Sequence, residues 1–424
     1  MLRPLPHASR LRLIIGVVIR LLHTADWHLG ATLQGWSRER EHRAALAQFI
    51  AAAKANAVHG VIIAGDIFDS LNPSADAQRL LYDTLREVRR ACPKATIIMI
   101  AGNHDPAGRL EAPRAIFDFA RINSIGVISR TQEAFDVKAH LCPIFDDDGG
   151  LAAHVLALPY PRAGDLRLNA PSAEGSPVAQ GVRALYQEAI AAARECIGAG
   201  PLIVTGHLHI IGAIESEGAE RRILIGGEHA TPSDIFPSDL AYVALGHLHR
   251  PQSVGRETIR YSGSLIPMSK TELAYDHGVS LVEINPDSGA HITHLPFERA
   301  IAHLKLPERG ALPFSELEEA LAQLCHPFQA GPIETAPFLH LALSTQGPAT
   351  GLKAAVDAMV EKYAVRLVSL TVTRPDSELR QAPAPQRLSD IAPEELFRRA
   401  FIQTHGVAPT AAHVAFFDQL AQER

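Results

Sequence analysis

Five short polar motifs, each directly after a run of apolar residues, constrain the fold of this chain more than any other feature of its sequence. The apolar runs are short and rich in Ile, Val and Leu, as buried strands are, and they cover residues 17–24, 60–64, 95–101, 202–205 and 242–245. The motifs that follow them are Asp26-Trp27-His28, Gly65-Asp66 with Asp69, Gly102-Asn103-His104-Asp105, Gly206-His207-Leu208-His209 and Gly246-His247-Leu248-His249. Because ligand sites in open α/β sheets lie beyond the carboxyl ends of the strands, we predict that all five motifs converge on one edge.

Helical patterns alternate with these strands and predict an α/β fold. The predicted helices cover residues 38–55, 75–90 and 182–196. Further short apolar runs predict strands at residues 222–225, 258–262 and 279–284. We assign the last two of these strands to a second, largely antiparallel sheet. The expected architecture is two sheets packed face to face and covered by helices.

A change of composition near residues 299–311 predicts a domain boundary. Beyond it we predict a small α+β domain with strand 302–306, helix 314–324, strand 338–344, helix 352–363 and strand 365–373. The segment 381–386 (QAPAPQ) is a linker by composition. Two short helical patterns follow, with apolar residues Leu396, Phe397, Ala400 and Phe401 in the first and Val414, Phe416, Phe417 and Leu420 in the second. Helices this short cannot bury such faces alone, so we expect a partner to cover them.

The composition bounds the class of protein and its compartment. The 424 residues exceed what one core usually holds, and 47% hydrophobic with 20% charged residues exclude disordered, collagen and coiled-coil classes. Four scattered cysteines form neither a zinc ribbon nor a disulfide framework, which favours a reducing cytoplasm. The apolar segment 11–22 lacks a cleavage site and leads into the first motif, so we interpret it as a strand rather than a signal peptide. We expect the residues before Val18 to be a dispensable extension or an artefact of the assumed translation start.

The residue types in the motifs are those of metal ligands, and 21 histidines make such a site possible. Residues two apart in an extended segment point the same way, so Asp26 and His28 can approach one ion and His247 with His249 can face one cluster. Carboxylate, amide and imidazole groups together disfavour Ca²⁺ and the thiolate class of zinc site, and they suit Mn²⁺, Fe²⁺ or Zn²⁺. So many candidate ligands fit two ions about 3.5–4 Å apart better than one, with Asp66 as the bridging carboxylate.

Each motif by itself has a simpler structural explanation, such as an Asx turn or a helix cap, and only the ordered set favours a metal site. His209 repeats the spacing of His249 without an assigned role, and we expect His23 to pack or hydrogen-bond locally. The structural explanation is preferred for histidines outside the motifs, namely His59, His229, His326 and His405. The segment 347–353 (GPATGLK) lacks the spacing of a phosphate loop, and no G-x-S-x-G elbow is present, so we predict neither ATP binding nor serine hydrolysis.

The order D-x-H, GD-x-x-D, GNHD, GH and GH-x-H resembles the calcineurin-like metallophosphoesterases. The chain is similar, more narrowly, to the SbcD family, nuclease subunits that work with the SMC-like ATPase SbcC in DNA double-strand break processing. The segments that carry this resemblance are HTADWHLG at 23–30, AGDIFD at 64–69, AGNHD at 101–105, YVALGHLHRPQ at 242–252 and YSGSLIP at 261–267. It runs from about Val18 to the C-terminus and is looser in 130–200 and 300–375. It departs at His209, which the family pattern does not require, and at 269–271, where an aromatic-containing run is expected.

The resemblance implies a dinuclear metal centre, with Mn²⁺ as the expected ion. The implied ligands of the first ion are Asp26, His28, Asp66 and His249, and those of the second are Asp66, Asn103, His207 and His247. His104 is then not a ligand but a catalytic residue that faces the scissile phosphate and aids the leaving group. We expect Asp26 or Asp105 to orient it.

The resemblance also implies an architecture, partners and a substrate. It predicts a four-layer α/β/β/α nuclease domain over residues 18–299, an α+β cap domain over 300–374, and a helical pair over 387–424 that binds the SbcC-type ATPase. The implied substrates are double-stranded DNA ends and hairpins, cut by a cytoplasmic, nucleoid-associated homodimer with exonuclease and endonuclease activity. The net charge of −6 gives no strong positive field, but two divalent ions would add four positive charges at the site. The alternatives are another dinuclear metallophosphoesterase, such as a nucleotidase or phosphatase, and a scaffold that tethers DNA ends.

Overall fold

The computed structural model describes residues 17–167, 176–216, 230–325, 332–345, 351–373, 393–405, 408–410, 412–414 and 416–417. Several predicted features lie outside the described residues, namely the extension up to residue 16, the strand at 222–225, the start of the segment 347–353, the linker at 381–386, His229, His326, Leu420 and the side chain of His405. None of the helices within the described part of the chain has the length and apolar character needed to cross a membrane.

Strands and helices alternate over the first 125 residues, as predicted, and longer runs of consecutive strands follow. The strands are β1 (Ile19–Thr24), β2 (Thr32–Leu33), β3 (Trp36–Ser37), β4 (Gly60–Ala64), β5 (Thr96–Ile100), β6 (Ile122–Ile125), β7 (Arg130–Thr131), β8 (Ala134–Phe135), β9 (Leu141–Phe145), β10 (Leu151–Ala157), β11 (Leu202–His207), β12 (Tyr242–Gly246), β13 (Gln252–Val254), β14 (Arg256–Tyr261), β15 (Gly278–Asn285), β16 (Gly289–Pro296), β17 (His303–Leu306), β18 (Leu312–Pro313), β19 (Phe338–Ser344) and β20 (Arg366–Thr373). The α-helices are α1 (Glu39–Ala55), α2 (Ala75–Ala91), α3 (Ala107–Glu111), α4 (Arg114–Phe119), α5 (Val137–His140), α6 (Pro177–Ile197), α7 (Leu317–Cys325), α8 (Leu352–Val360) and α9 (Pro393–His405). Short 3-10 turns occur at Ala163–Asp165, Ser233–Ile235, Lys270–Ala274, Phe314–Glu316 and Ile333–Thr335.

The first sheet has the strand order β16-β15-β1-β4-β5-β6. Strands β1, β4, β5 and β6 run parallel, whereas β15 pairs with β1 in the antiparallel sense. Every residue of β4 and β5 is buried, which is why these strands read as unbroken aliphatic runs rather than as an alternating pattern. The connections after β1, β4 and β5 therefore all begin at the same edge of the sheet.

The second sheet has the order β13-β14-β12-β11-β10-β9, and its four central strands are parallel. Its edge strands β9 and β13 pair with their neighbours in the antiparallel sense. Helix α6, which connects β10 to β11, begins at a Ser176 side chain that accepts from the backbone N–H of Val178, with Pro177 in the first turn. The motifs after β11 and β12 thus leave this sheet at its carboxyl edge.

The assignment of residues 258–262 and 279–284 to one antiparallel sheet is wrong. The first segment is β14, which lies parallel to β12 in the second sheet, and the second is β15, which lies beside β1 in the first sheet. The apolar pattern identifies both segments as strands but does not reveal which strand each one pairs with. Strand β15 has buried residues on both of its faces, as an interior strand requires, and β16 covers its outer edge.

Apolar clusters connect the two sheets with each other and with the helices. One buried cluster takes aliphatic side chains from both sheets, including Leu21 and Ile98 of the first with Val155 and Ile203 of the second. A second cluster joins the other face of the first sheet to α1 and α2, and a third joins the second sheet to α6. Because the two sheets share one apolar interior, their carboxyl edges are held beside each other.

The C-terminal part of the described chain has a small sheet and a core of its own. Strand β19 pairs with β17, β18 and β20, and α7 and α8 pack on this sheet through residues such as Leu321 and Val356. This unit meets the rest of the protein through Phe338 and Val368, which pack against Leu33 and Trp36 of the β2–β3 hairpin. In α9, the ring of Phe397 stacks at 4.5 Å on that of Phe417.

Candidate metal centre

The five predicted motifs lie together at the edge where the two sheets meet. Three of them begin where β1, β4 and β5 end, and the other two begin within the last residues of β11 and β12. Three groups of side chains are brought close enough for their ligand atoms to lie within 4.8 Å of one another. The members are Asp26, His28 and His249 in the first group, His28, Asp69 and His104 in the second, and Asp66, His207 and His247 in the third.

The D-x-H motif reaches the site through a turn and not through strand alternation. Asp26 and His28 have φ angles of 53° and 47°, in the left-handed region. Their backbone N–H groups donate to the carbonyl oxygens of Gly65 and Asp66, each at 3.0 Å. The premise that this segment is extended is therefore wrong. The two side chains still converge because the loop is hydrogen-bonded to the neighbouring GD motif.

The first group joins side chains that are far apart in the sequence. The Nε2 atoms of His28 and His249 are 3.2 Å apart, and at least one of them must be unprotonated at that distance. Asp26, His28 and His249 are all buried within the protein. A carboxylate and two imidazoles thus face one point from opposite sheets, an arrangement that one cation would satisfy.

The third group and Asn103 form a second set of polar atoms beside the first. The Oδ1 atom of Asn103 lies 3.0 Å from Nε2 of His207 and 3.1 Å from Nδ1 of His247. The Oδ2 atom of Asp66 lies 3.3 Å from Nε2 of His207 and 3.9 Å from Nε2 of His28. The Asp66 carboxylate therefore stands between the two sets.

Two glycines leave the space that this carboxylate needs. A Cβ atom on Gly102 would lie 2.1 Å from Oδ1 of Asp66, and one on Gly65 would lie 2.4 Å from Nδ1 of His207. Both contacts are far shorter than van der Waals distance. Gly65 also has a φ of 90°, which favours glycine. Gly65 and Gly102 are thus required by the close approach of the backbone to the side chains of His207 and Asp66.

The carboxyl groups of the site differ in their affinity for protons. Burial raises the pKa of Asp26 to about 7. Burial also acts to raise the pKa of Asp66, but the neighbouring His207 outweighs it and the pKa falls well below the usual range of a carboxyl. The same interaction, acting against burial, raises the pKa of His207 to about 9, whereas burial lowers that of His247 to about 3. Asp66 is consequently more firmly held in its ionised form than Asp26.

The backbone and one further carboxylate orient the imidazoles. Nδ1 of His207 lies 2.8 Å from the carbonyl oxygen of Ala64, and Nδ1 of His249 lies 2.9 Å from Oε1 of Glu272. Each Nδ1 therefore carries the proton and donates it, which leaves Nε2 as the atom that faces the site. Sequence reasoning missed Glu272, which lies 23 positions after His249 in no recognised motif.

His104 is held by a different residue from those predicted. Its Nδ1 atom lies 2.9 Å from the backbone carbonyl oxygen of Asp69, so the expectation that Asp26 or Asp105 orients the ring is wrong. The carboxylate of Asp26 instead accepts from the backbone N–H of His247. That of Asp105 accepts from the N–H groups of Gly102, Ile67 and Phe68 and so ties the GNHD loop to the GD loop.

Asp69 has a role that its motif did not reveal. Its Oδ1 atom lies 3.3 Å from Nδ1 of His28, on the far side of that ring from His249. Asp69 therefore contacts two imidazoles of the site, His28 through its carboxylate and His104 through its backbone carbonyl. The spacing GD-x-x-D gave the signal for Asp69, but only the turn after Asp66 decides which side chains it meets.

Other histidines lie where a structural role accounts for them. The ring of His209 is 6.5 Å from that of His247, and its Nε2 atom lies 3.4 Å from Glu215, outside the three groups. His23 is buried with Nδ1 2.9 Å from the hydroxyl of Tyr242, a contact between the two sheets rather than a local one. Nδ1 of His59 accepts from the backbone N–H of Arg20.

The donor set fits divalent cations of the Mn²⁺, Fe²⁺ or Zn²⁺ type. It combines imidazole nitrogens with carboxylate and amide oxygens, and the part of the chain that the structure describes offers no thiolate at this edge. The Nε2 atoms of His28 and His249 face each other at 3.2 Å within a buried site, where a cation would accept the lone pair of each ring. The residues present therefore suit a pair of metal ions.

Comparison with known proteins supports the same chemistry. The family model described as calcineurin-like phosphoesterase matches residues 19–251, a range that contains all three groups. A second family model, described as type 5 capsule protein repressor C-terminal domain, matches residues 299–405.

Curated relatives resemble the chain over most of its length. A protein named as the SbcD component of the nuclease SbcCD, from Rhodobacter capsulatus, is 47% identical over 386 residues, which are 90% of this chain and 94% of that protein. Proteins of the same name from Escherichia coli and Bacillus subtilis are 31% and 34% identical, covering 90% and 64% of this chain and 92% and 68% of their own lengths. A solved dimetal phosphatase from Danio rerio matches with a TM-score of only 0.38 and 11% identity, over 66% of this chain and 99% of its own.

Proposed function

The chain belongs to the calcineurin-like phosphoesterases and, within them, to the SbcD family of SbcCD nuclease components, and from this membership we propose that it cleaves phosphodiester bonds in DNA with two metal ions. The observation that carries the proposal is the position of the Asp66 carboxylate between two sets of ligand atoms, one at His28 and one at His207. A carboxylate so placed could serve both ions of a two-metal site, which would stabilise the attacking and leaving oxygens of an in-line displacement at phosphorus.

In the proposed centre, the first ion would be held by Asp26, His28 and His249 and the second by Asn103, His207 and His247, with Asp66 available to both. When bound, the ions would supply positive charge against the phosphate oxygens and a water of lowered pKa. The burial of Asp26 and Asp66 strengthens this charge stabilisation because little water is present to screen it.

His104 is proposed to act on the leaving group. Its Nδ1 atom is occupied by the carbonyl of Asp69, so Nε2 is the atom available to carry a proton to the leaving oxygen. Its backbone N–H donates to Oδ1 of Asp66 at 2.8 Å, which fixes the residue beside the bridging carboxylate. The ring of His104 lies 4.9 Å from that of His28, close to the first set of ligands without belonging to it.

The test of the function is a comparison of substrates. The purified chain is incubated with Mn²⁺ and either linear duplex DNA or a small phosphomonoester, and hydrolysis of the DNA is expected to dominate. Preferred hydrolysis of the phosphomonoester would favour a phosphatase or nucleotidase, and DNA binding without hydrolysis would favour an end-tethering scaffold. The same assay with Mg²⁺, Fe²⁺ or Zn²⁺ tests our proposal that Mn²⁺ is the working metal.

A second arm of the assay tests the partner and the DNA ends. Duplex with blocked ends, and hairpin DNA, are added with and without an SbcC-type ATPase and ATP. We expect cleavage of these substrates to depend on the ATPase, since the names of the relatives describe one component of an SbcCD complex. Equal cleavage without the ATPase would contradict this part of the proposal.

The finer architecture is proposed from the separate cores of the chain. The apolar clusters on both sides of the two sheets support a four-layer α/β/β/α arrangement for residues 18–299. The small sheet with its own core supports a cap domain at residues 300–374.

Exposed Leu396 and Phe416 support a helical pair at residues 387–424 that binds the ATPase. Leu396→Asp is expected to weaken that binding in a pull-down assay.

A homodimer is proposed from apolar side chains on α2 and α4. Ile116 and Phe119 on α4 are 73% and 94% exposed, and Tyr82 on α2 is half-exposed with its ring 6.2 Å from that of Phe117. Such exposure is costly in a monomer and typical of an interface. Sedimentation of the Phe119→Ser variant is expected to show a lower dimer fraction than the wild type. We place the dimer in the cytoplasm at the nucleoid, where its substrate lies.

A further inference from the structure

Glu272 is a buried carboxylate that the proposed metal ligands do not include. It lies in the 3-10 turn Lys270–Ala274 and is fully buried. Its Oε1 atom lies 2.9 Å from Nδ1 of His249, and its Oε2 atom accepts from the backbone N–H of Met268 at 2.7 Å. The Glu272 carboxylate therefore lies next to the Nδ1 atom of one ligand of the first set.

This contact decides which nitrogen of His249 faces the metal centre. A carboxylate at Nδ1 keeps the proton on that nitrogen and the lone pair on Nε2. The Nε2 atom then points to His28 at 3.2 Å, within the group that contains Asp26. Without Glu272 the ring could rotate or exchange its tautomer, and the lone pair would leave the first metal position.

A buried arginine holds the segment that carries Glu272. Arg38 is 1% exposed, and its guanidinium donates to the carbonyl oxygen of Pro267, the residue before Met268. The same guanidinium makes two hydrogen bonds of 2.8 and 2.7 Å to the Glu41 carboxylate at the start of α1. The Cζ atom of Arg38 also lies 5.9 Å from the centre of the Phe338 ring in the C-terminal sheet. The turn behind His249 is thus anchored to α1 and to the C-terminal unit.

We propose that Glu272 is a positioning residue that fixes His249 with Nε2 toward the first metal ion, and that Arg38 holds the turn in which Glu272 lies. The inference rests on the proposed function, because it names a residue that serves the same metal centre. It differs from that function in predicting an effect on one of the two ions. Carboxylates that support metal-bound histidines typically change metal affinity by about 10–100-fold.

The experiment measures Mn²⁺ binding by the full-length, metal-free chain with isothermal titration calorimetry. Glu272→Gln keeps the size of the side chain but removes its charge, and Glu272→Leu removes the hydrogen bond as well. We expect Glu272→Gln to weaken one of two Mn²⁺ sites by about 10-fold and Glu272→Leu by about 100-fold, with the other site unchanged. Arg38→Lys is expected to weaken the same site by a smaller factor, since the lysine cannot make the forked contact to Glu41.

Glu257→Gln is the matched control, because Glu257 is an exposed residue of β14 and makes the same change of charge. Thermal unfolding in EDTA shows whether each variant is folded, and Glu272→Gln alone decides the question if Glu272→Leu is not. Wild-type affinity of Glu272→Gln at both sites would overturn the inference, as would an equal loss at both sites. A wild-type chain that binds fewer than two Mn²⁺ ions would instead overturn the two-metal function.

Discussion

At the scale of residues, the candidate site is built from backbone conformations that most side chains avoid. Asp26, His28, Asp66 and His247 all have positive φ, and all four belong to the predicted ligand set. Such conformations cost of order 1–3 kcal/mol each and persist only where surrounding hydrogen bonds enforce them. Here the Gly65 and Asp66 carbonyls and the Asp26 carboxylate supply those bonds. The strain turns each loop sharply enough to aim its side chain at the centre.

Gly102→Ala tests the packing around Asp66. The new methyl group would meet Oδ1 of Asp66 at 2.1 Å and must displace that carboxylate. A displacement near 1 Å at a reacting centre lowers rates by about 100-fold, so we expect losses of that order in DNA hydrolysis together with weaker Mn²⁺ binding. Gly108→Ala is the control, because a Cβ there meets nothing within 4 Å and alanine suits the helix α3. Equal activity of the two variants would contradict the packing argument.

His104→Leu tests the separation of catalysis from metal binding. The side chain is proposed to serve the leaving group, whereas the backbone N–H that binds Asp66 is unchanged by the substitution. We therefore expect DNA hydrolysis to fall by about 100- to 10,000-fold while calorimetry still shows two Mn²⁺ ions. His291→Leu, an exposed position on β16, should cut DNA normally. If His104→Leu cut DNA at the wild-type rate, the catalytic role of His104 would be wrong.

At the scale of elements, helix α1 starts at a buried ion pair. Arg38 and Glu41 are 1% and 5% exposed and are joined by two hydrogen bonds, and Nε2 of His303 in β17 lies 3.7 Å from Glu41. The cation of Arg366 lies 3.9 Å from the centre of the Phe338 ring at the same junction. Charged groups thus connect α1, the turn behind His249 and the C-terminal sheet. Removing one partner of such a pair leaves the other charge buried and is destabilising.

Glu41→Gln is expected to change the pH dependence of stability. Burial acts to raise the pKa of Glu41, but the hydrogen bonds from Arg38 and His303 outweigh it and lower the pKa to about 2. Because the folded pKa lies below the unfolded value, the contribution of this carboxylate is complete above pH 4.5 and is lost as the pH falls toward 2. The variant should be less stable than the wild type by about 3 kcal/mol at pH 7 and by less than about half of that at pH 3.

Urea unfolding in EDTA across this pH range measures the difference in the free energy of unfolding. Glu39→Gln is the control in the same helix, since the pair of Glu39 with Arg43 is half-exposed and should contribute less than about 1 kcal/mol. A difference between Glu41→Gln and the wild type that does not vary with pH would show that the carboxylate is not ionised in the folded protein.

At the scale of the whole molecule, the candidate centre joins two sheets. His28 and Asp66 follow strands of the first sheet, and His207 and His249 lie at or after the ends of strands of the second. A pair of cations bound to all four side chains would link the two sheets. The link would form where several buried imidazole and carboxyl groups lie too close together for all of them to be protonated. Two divalent ions would also add positive charge where the phosphates of the proposed DNA substrate would lie, so the net charge of −6 does not oppose that substrate.

Metal loading is therefore expected to stabilise the whole molecule. At a free Mn²⁺ concentration about 100 times its dissociation constant, each site should add about 2.7 kcal/mol to the free energy of unfolding and raise the melting temperature by several degrees. EDTA should reverse the shift. Calorimetric melts of the wild type and of Asp66→Asn make the comparison, and the variant should gain much less because it lacks the bridging carboxylate. Equal Mn²⁺ shifts in the two proteins would contradict the bridging role of Asp66.

The strands that precede the motifs, the ordered motifs and the family could be predicted from the sequence, whereas β6, β9, β10 and β16 were not predicted. Buried parallel strands such as β4 and β5 must be short and aliphatic, and the loops at their carboxyl ends must share an edge. Both constraints act on neighbouring residues of the chain. The short sequences around Asp66 and His104 are therefore enough to reveal them. The α/β fold of the calcineurin-like phosphoesterases and the membership of the SbcD family were confirmed.

The contacts between residues far apart in the chain became known only from the folded arrangement. The apolar pattern marks β15 as a strand but not its place beside β1, and no motif marks Glu272 as the partner of His249 or Asp69 as the residue behind His104. Such pairings depend on how two sheets pack and how strained loops turn. Local spacing does not reveal them, because the energy that selects them comes from contacts between distant parts of the chain that form together as it folds.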